Sequence, residues 1–112
     1  MPFLRFKGFD KNKLTVMSPS IIEQFADIAN VAPEKVKIEL LHVEQITNSP
    51  YSVEILMFER EQRKHDDLAS MLHETLKQHG FEQVHIFFIL LSPTLYYKEG
   101  LPLQRNQVEM VR

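Results

Sequence analysis

MPFLRFK, residues 1–7, begins the chain with a segment in which Leu4 and Phe6 alternate with basic residues. A period of two predicts a β-strand with one face towards a core. Because an initiator methionine is normally removed when proline follows it, the mature chain could start with the secondary amine of Pro2. A free α-amino group titrates at about pH 8, and burial and neighbouring cations lower the pKa of an amine. Pro2 therefore suits a general base at neutral pH, although the alternative is an ordinary strand residue.

The next segments predict a helix and a second strand. Ser18 and Pro19 match an N-cap followed by a first-turn proline, and Ser20 with Glu23 matches an overlapping capping box, so a helix is predicted to begin in this segment. An apolar stripe runs from Ile21 to Ala29, and Pro33 ends the helical region because proline disfavours helical geometry in the preceding residue. Residues 36–46 then alternate as the second strand.

The second half of the chain has the same order. Ser52–Phe58 alternates as a third strand, and the apolar period becomes helical from about Glu61. Gly80 stands where a helix C-terminal glycine is expected, and residues 84–91 form the fourth strand. The sequence therefore predicts a strand-helix-strand unit that occurs twice, which is an α+β fold.

Length and composition limit the classes of function. The 112 residues predict a single domain, 1–112, with halves at about 2–46 and 52–91 and a C-terminal extension at 92–112. A net charge of −2 gives no field that gathers nucleic acid, and the absence of cysteine excludes disulfides and thiolate sites. The longest apolar run is too short to span a bilayer. We expect a cytoplasmic protein that binds neither nucleic acid nor membrane.

The fourth strand is apolar on both faces. One face, expected to meet the helices, carries Val84, Ile86, Phe88 and Leu90. The other face is equally apolar, with Phe87, Ile89 and Leu91. In a monomeric two-layer fold that second face would contact water, so we expect another subunit to cover it.

Three segments, taken in order, resemble a known superfamily of enzymes. Pro2 opens the first strand, and Ala32-Pro33 leads into the second. FEREQRK at 58–64 is similar to an arginine-containing link to a helix, and YYKEG at 96–100 to an aromatic turn after the last strand. These features resemble the tautomerase superfamily of 4-oxalocrotonate tautomerase, malonate semialdehyde decarboxylase and macrophage migration inhibitory factor. Over about residues 1–100 the chain is similar to the branch called domain of unknown function 1904.

The resemblance implies an architecture. It implies a two-layer α+β fold, a duplicated βαβ unit with a mixed four-stranded sheet and two helices on one face, assembled as a homotrimer. In that sheet the first and third strands are antiparallel neighbours, which would bring Pro2 near Arg60. The same element order describes a ferredoxin-like domain, in which the first two strands are not direct neighbours.

The resemblance also implies a site for a small carboxylate substrate. A guanidinium binds a carboxylate bidentately, and a phenol can donate to a developing enolate oxygen. Adjacent residues of an extended segment point in opposite directions, so at most one of the two neighbouring tyrosines should face the pocket. The candidate residues are Pro2 and Tyr97 as catalytic groups, and Arg60, Lys37, Arg63 and Tyr96 as substrate-binding groups.

The remaining titratable residues predict no further site. Glu39 and Glu54 are interpreted as a polar lining near the trimer axis or as ion-pair partners of Arg5 and Lys7. The five histidines, His65 among them, lack the i to i+4 pair that a helix uses for zinc, and we interpret them as surface or packing residues. We expect no metal and no cofactor.

Two hypotheses of function remain open. The first is a cofactor-free tautomerase that uses Pro2 on a 2-oxo or enol carboxylic acid, with decarboxylation or hydration as variants. The second is a non-catalytic homotrimer that binds a ligand or partner, since fold does not imply function. Retention of Met1 would favour the second, because the Pro2 nitrogen would then be an amide.

Overall fold

Four strands and two long helices occur in the predicted order and are followed by a short hairpin. The structure, a computed structural model, describes residues 1–103. Its elements are β1 (Phe3–Lys7), α1 (Lys11–Ala29), β2 (Lys37–Leu41), β3 (Ser52–Phe58), α2 (Gln62–Gln78), β4 (His85–Leu91), β5 (Tyr97–Lys98) and β6 (Leu101–Pro102). Neither long helix in this part of the chain has the length and hydropathy needed to cross a membrane. Residues 104–112 of the predicted extension lie outside the described residues.

The main sheet has the strand order β2-β1-β3-β4. β1 is parallel to β2 and antiparallel to β3, and β3 is parallel to β4, which confirms the expected mixed sheet. A ferredoxin-like sheet would separate the first two strands, so the direct pairing of β1 with β2 excludes that alternative. The hairpin of β5 and β6 forms a separate two-stranded sheet.

The core lies between one face of the sheet and the two helices. Leu4 and Phe6 of β1, Ile55 of β3, Phe25 of α1 and Leu72 of α2 are all 0% exposed. Burying one such side chain stabilises a fold by about 1.5–3 kcal/mol. Both helices cover the same face of the sheet, which confirms the two-layer α+β arrangement.

Helix α1 begins at Lys11, well before Ser18 and Pro19, so the predicted start was wrong. The Asp10 carboxylate accepts a hydrogen bond from the Lys13 N–H at 3.0 Å and caps the helix. An aspartate N-cap satisfies an N–H group that has no partner within the helix. The earlier cap therefore determines where the helix starts.

Pro19 lies inside α1 because the apolar face of the helix continues on both sides of it. Upstream of the proline, Leu14 and Met17 are buried in the core. Pro19 has no N–H to donate to the carbonyl of Thr15, four residues before it. The Ser18 hydroxyl donates to that carbonyl instead, at 2.9 Å. The serine that resembles an N-cap in the sequence thus satisfies a carbonyl within the helix.

Strand β2 ends at Leu41, whereas the sequence predicted a strand as far as Ile46. Leu41 pairs with Lys7, the last residue of β1, and Gly8 then turns the chain with a φ of 93°. Among residues 1–103 no strand pairs with the segment after Leu41, and Ile46 is 89% exposed. The length of β1 therefore sets the length of β2.

The second half of the chain follows the prediction more closely. Ser52–Phe58 is a strand with the predicted bounds, and α2 starts at Gln62. Gly80 has a φ of 89°, as expected for a glycine at a helix C-terminus. β4 starts at His85, one residue later than predicted.

The sheet face opposite the helices combines an ion cluster with an apolar patch. Arg5 lies 3.0 Å from Glu39 and 3.8 Å from Glu54, with each distance joining a guanidinium nitrogen to a carboxylate oxygen. Both carboxylates thus pair with Arg5, one of the two basic residues expected. On β4, Phe87 is 44% and Ile89 39% exposed on this face.

Candidate functional site

A cavity of about 470 Å³ lies at the end of the sheet where β1 begins and β3 ends. The antiparallel register pairs Phe3 with Leu56, so the residues before Phe3 lie beside those that follow Leu56. Small-molecule sites typically have volumes of roughly 300–1,000 Å³. The residues that line this cavity are Met1, Val31, Glu34, Lys35, Lys37, Phe58, Arg60, Tyr96, Lys98 and Leu103.

Backbone pairing brings the start of the chain to this cavity. Pro2 is buried, and its carbonyl oxygen accepts the Lys37 N–H at 3.0 Å. Met1, the residue before it, and Arg60 both line the cavity. The parallel pairing of β1 with β2 and its antiparallel pairing with β3 therefore gather the chain start, Lys37 and Arg60 in one place.

The N-terminal amine lies in a basic environment. The Met1 amine donates a hydrogen bond to the Lys35 carbonyl at 3.1 Å. Burial lowers the pKa of this amine below its ordinary value of 8.0, and the positive charges of Lys37 and Lys35 lower it further. An amine at this position holds its proton less tightly than one in water.

Cations outnumber carboxylates in the cavity wall. Four cations and one carboxylate line it, and the carboxylate belongs to Glu34. The Lys37 ammonium donates to the backbone carbonyl of Glu34 at 2.6 Å, so this contact leaves the lysine charge uncompensated. In the described part of the chain the ion pairs are those of Arg5, on the other sheet face. The wall therefore attracts an anion. Its cations are Lys35, Lys37, Arg60 and Lys98.

Arg60 is held by a residue that sequence analysis did not select. Its backbone N–H donates to Nε2 of His65 at 3.0 Å. His65 is 8% exposed and packs edge to face on Phe88, with ring centroids 4.4 Å apart. Its position three residues before Leu68, on the apolar stripe of α2, indicates burial. No sequence pattern indicates the contact with Arg60.

The two neighbouring tyrosines have different positions. Tyr96 lines the cavity and packs edge to face on Phe58, with ring centroids 5.6 Å apart. Its carbonyl accepts the Leu103 N–H at 2.9 Å, which closes the base of the hairpin. Tyr97 is 57% exposed and is not among the lining residues. One tyrosine faces this cavity and the other does not.

Arg63 is exposed in the first turn of α2 and does not line the cavity, unlike Arg60 and Lys37. A larger groove of about 580 Å³ beside α1 is lined by Glu23 and Asp27 and by no cation, which makes it unsuited to a carboxylate. Within residues 1–103 no three histidine, aspartate or glutamate side chains are grouped as metal ligands.

Two solved structures resemble this fold strongly. A protein of unknown function from Vibrio cholerae O1 biovar eltor has a TM-score of 0.84 at 24% identity, covering 90% of this chain and 86% of its own. A domain of unknown function (DUF1904) from Sebaldella termitidis has a TM-score of 0.82 at 23% identity, covering 90% of this chain and 98% of its own. No protein with a curated description matches the sequence.

Structures of lower sequence identity share this fold, whereas the family is identified by a match of the sequence to a family model. A fused 4-OT, described as a wild type asymmetric trimer, has a TM-score of 0.77 at 14% identity, covering 96% of this chain and 99% of its own. The same fold is therefore shared with this 4-OT and with the macrophage migration inhibitory factor from Trichinella spiralis. The family model described as a domain of unknown function (DUF1904) matches residues 1–102. The chain belongs to this DUF1904 family.

Proposed function

We propose that the chain, once processed to begin at Pro2, is a cofactor-free enzyme that tautomerises a small 2-oxo or enol carboxylic acid. One observation carries the proposal. The start of the chain, Arg60, Lys37 and Tyr96 meet at a single cavity whose cations outnumber its carboxylates. Met1 lines the cavity and Pro2 does not, so removal of Met1 would expose the Pro2 amine beside the anion site and the phenol.

Each of these groups has a role in the proposed reaction. Arg60 binds the substrate carboxylate through two charge-assisted hydrogen bonds, and Lys37 adds positive charge. The neutral Pro2 nitrogen removes the proton of the enol hydroxyl while the Tyr96 hydroxyl stabilises the enolate oxygen. The protonated proline then gives a proton to the enolate carbon as the carbonyl forms. The substrate loses one proton and gains one, so the reaction needs no other reactant.

The environment of the Met1 amine supports this role for Pro2. Burial and the charges of Lys37 and Lys35 lower the pKa of an amine at this end of β1. After removal of Met1, the proline nitrogen would lie within the same basic surroundings. A lowered pKa keeps part of the population neutral near pH ~7, as a general base requires.

The proposed assembly is a homotrimer. The exposed apolar side chains of Phe87 and Ile89 support burial of this sheet face in an interface. The likeness to a 4-OT that is described as a trimer agrees with three subunits. Light scattering at micromolar concentration is expected to give the mass of three chains, and a monodisperse monomer would contradict this assembly.

The test of the proposed activity is the ketonisation of phenylenolpyruvate. Protein whose intact mass shows a chain starting at Pro2 is compared with Pro2→Ala and with protein that retains Met1. A general base contributes about 10²- to 10⁴-fold, so we expect the Met1-retaining protein to lose at least about 100-fold and Pro2→Ala to be slower than wild type. Equal rates in all three would rule out the proline mechanism.

The second candidate function is a non-catalytic trimer that binds an anion. It is favoured by the excess of cations over carboxylates in the cavity wall, which suits an anion whether or not a base is present. In a chain that keeps Met1, the Pro2 nitrogen is an amide and no base is present there. Intact mass of untagged protein, together with calorimetric titration of a 2-oxo acid, separates this case: retained Met1 with binding and no turnover would support it.

A further inference from the structure

The start of α2 contains a buried imidazole for which the proposed mechanism has no use. The helix follows Glu61, whose side chain makes no capping hydrogen bond. Four residues on, His65 turns its ring back and accepts the N–H of Arg60 on Nε2, at 3.0 Å. Arg60, the residue before the N-cap, carries the guanidinium that is proposed to bind a carboxylate. The His65 side chain thus links the backbone of Arg60 to the first turn of α2.

The protonation of the ring follows from this hydrogen bond. A nitrogen that accepts an N–H carries no proton, so neutral His65 has its proton on Nδ1. That nitrogen is buried and has no hydrogen-bond partner among residues 1–103. A buried donor without a partner costs free energy, and such a group in a native structure needs an explanation.

Apolar packing alone does not explain this choice of residue. Position 65 continues the apolar stripe of Leu68 and Leu72, both 0% exposed, so a leucine could pack there without the unpaired Nδ1 donor. What a leucine lacks is an acceptor for the Arg60 N–H. Phe88 of β4 holds the ring from the other side, with an interplanar angle of 72°, and so fixes the direction of that acceptor.

We propose that His65 is a positioning residue, which orients Arg60 towards the cavity by accepting its backbone N–H. This inference rests on the proposed role of Arg60 in binding a substrate carboxylate. His65 contacts no substrate in this account. It acts by fixing the peptide from which the guanidinium extends, and a displacement of about 1 Å in such a group can cost up to about 100-fold in rate.

The first test uses the wild-type protein and needs no activity. Nitrogen-15 NMR of the histidine rings is expected to show His65 with a protonated Nδ1 and an unprotonated Nε2. The backbone amide of Arg60 is expected to exchange slowly with solvent. A protonated Nε2 on His65, or an Arg60 amide that exchanges like an exposed one, would overturn the inference even if the protein turned out to have no enzymatic activity.

The second test uses matched variants. His65→Leu removes the acceptor, whereas His65→Gln keeps one at a similar reach. We expect His65→Leu to speed exchange of the Arg60 amide and to raise KM for phenylenolpyruvate about tenfold with a smaller change in kcat, and His65→Gln to restore both. If His65→Leu fails to fold, His65→Met replaces it as an unbranched apolar variant.

The outcomes separate the two proposals. No ketonisation by wild type counts against the proposed function alone, and the exchange of the Arg60 amide then decides the role of His65. With activity present, an unchanged KM in His65→Leu, or an equal loss in His65→Gln, would overturn the positioning role. In an Arg60→Ala background we expect His65→Leu to have no further effect on KM, because the group it orients is gone.

Discussion

The two long helices start in opposite ways. At the start of α1, Asp10 caps the helix and accepts the Lys13 N–H. At the start of α2, the side chain of Glu61 caps nothing, and a cation, Arg60, stands where the helix dipole makes positive charge unfavourable. His65 binds the backbone of that cation instead. The start of α1 is capped by a carboxylate, while the start of α2 has no side-chain cap on its N-cap residue and follows an arginine that lines the cavity.

Among changes at the two helix starts, the largest expected effect is that of Arg60→Ala. Because a bidentate carboxylate pair contributes roughly 1.5–3 kcal/mol, Arg60→Ala should raise KM for phenylenolpyruvate by about 10- to 100-fold. Arg63→Ala removes the same charge from the exposed first turn of α2, outside the cavity, and should leave KM near the wild-type value. Steady-state kinetics of the two variants test this difference, and equal KM values would show that α2 does not begin at a substrate site.

The next effect is on stability. Asp10→Ala should lower the free energy of unfolding by about 1 kcal/mol, because it removes an N-cap. Glu61→Ala removes no capping hydrogen bond and should change it by less than about 0.5 kcal/mol. Urea denaturation at one fixed protein concentration measures both. A larger loss in Glu61→Ala than in Asp10→Ala would reverse the comparison.

A smaller gain is expected from giving α2 the cap that it lacks. Glu61 has φ −63° and ψ 149°, the extended geometry of an N-cap residue. Glu61→Ser should therefore raise the free energy of unfolding by about 0.5 kcal/mol. Asp10→Ser, which exchanges one capping residue for another, is the control and should be nearly neutral. Destabilisation by Glu61→Ser would mean that the glutamate already contributes at this helix start.

The smallest effect is a pH dependence in protein that retains Met1. The pKa of the Met1 amine in the folded protein lies below its ordinary value of 8.0, which applies to the unfolded chain. At a pH between the folded and the unfolded pKa, the unfolded chain therefore binds more protons than the folded one. The free energy of unfolding should therefore rise as pH increases through this interval and level off above pH 8.0. Lys37→Gln should move the amine pKa back towards the ordinary value in an NMR titration.

Lys13→Gln, at the start of α1, is the control for that titration, because Lys13 does not contribute to the lowered pKa of the amine. An equal shift in the two variants would show that total charge, not the basic cavity, sets the pKa.

Periodicity was enough to predict the order of the elements and the bounds of β3. Periodicity and capping patterns gave wrong bounds where a side chain can make two different hydrogen bonds or where the bound depends on a partner strand. Ser18 has the chemistry of an N-cap, but its hydroxyl can equally satisfy the Thr15 carbonyl that Pro19 leaves without a donor. The end of β2 depends on where β1 stops at Lys7, which is a property of the partner strand.

Some features of the candidate site could likewise be predicted from the sequence and others could not. The predicted pairing of β1 with β3 was sufficient to bring the chain start and Arg60 to one cavity. Which tyrosine faces that cavity depends on the single turn Pro93–Leu95 before the hairpin, whose direction no local pattern encodes. The contact of His65 with Arg60 is a side chain to backbone hydrogen bond, which any residue except proline at position 60 can donate, so the arginine side chain gives no sign of it.

The hairpin of β5 and β6 has a consequence for how ligand preference could diversify in this family. It contributes Lys98 to the cavity wall and is flanked by Tyr96 and Leu103, yet it pairs with no strand of the main sheet. Its turn is set by Glu99 and Gly100, which both have positive φ. Substitutions on this hairpin can therefore alter the shape and charge of the cavity without disturbing the core, so it is the natural segment to exchange between relatives when a new ligand specificity is sought.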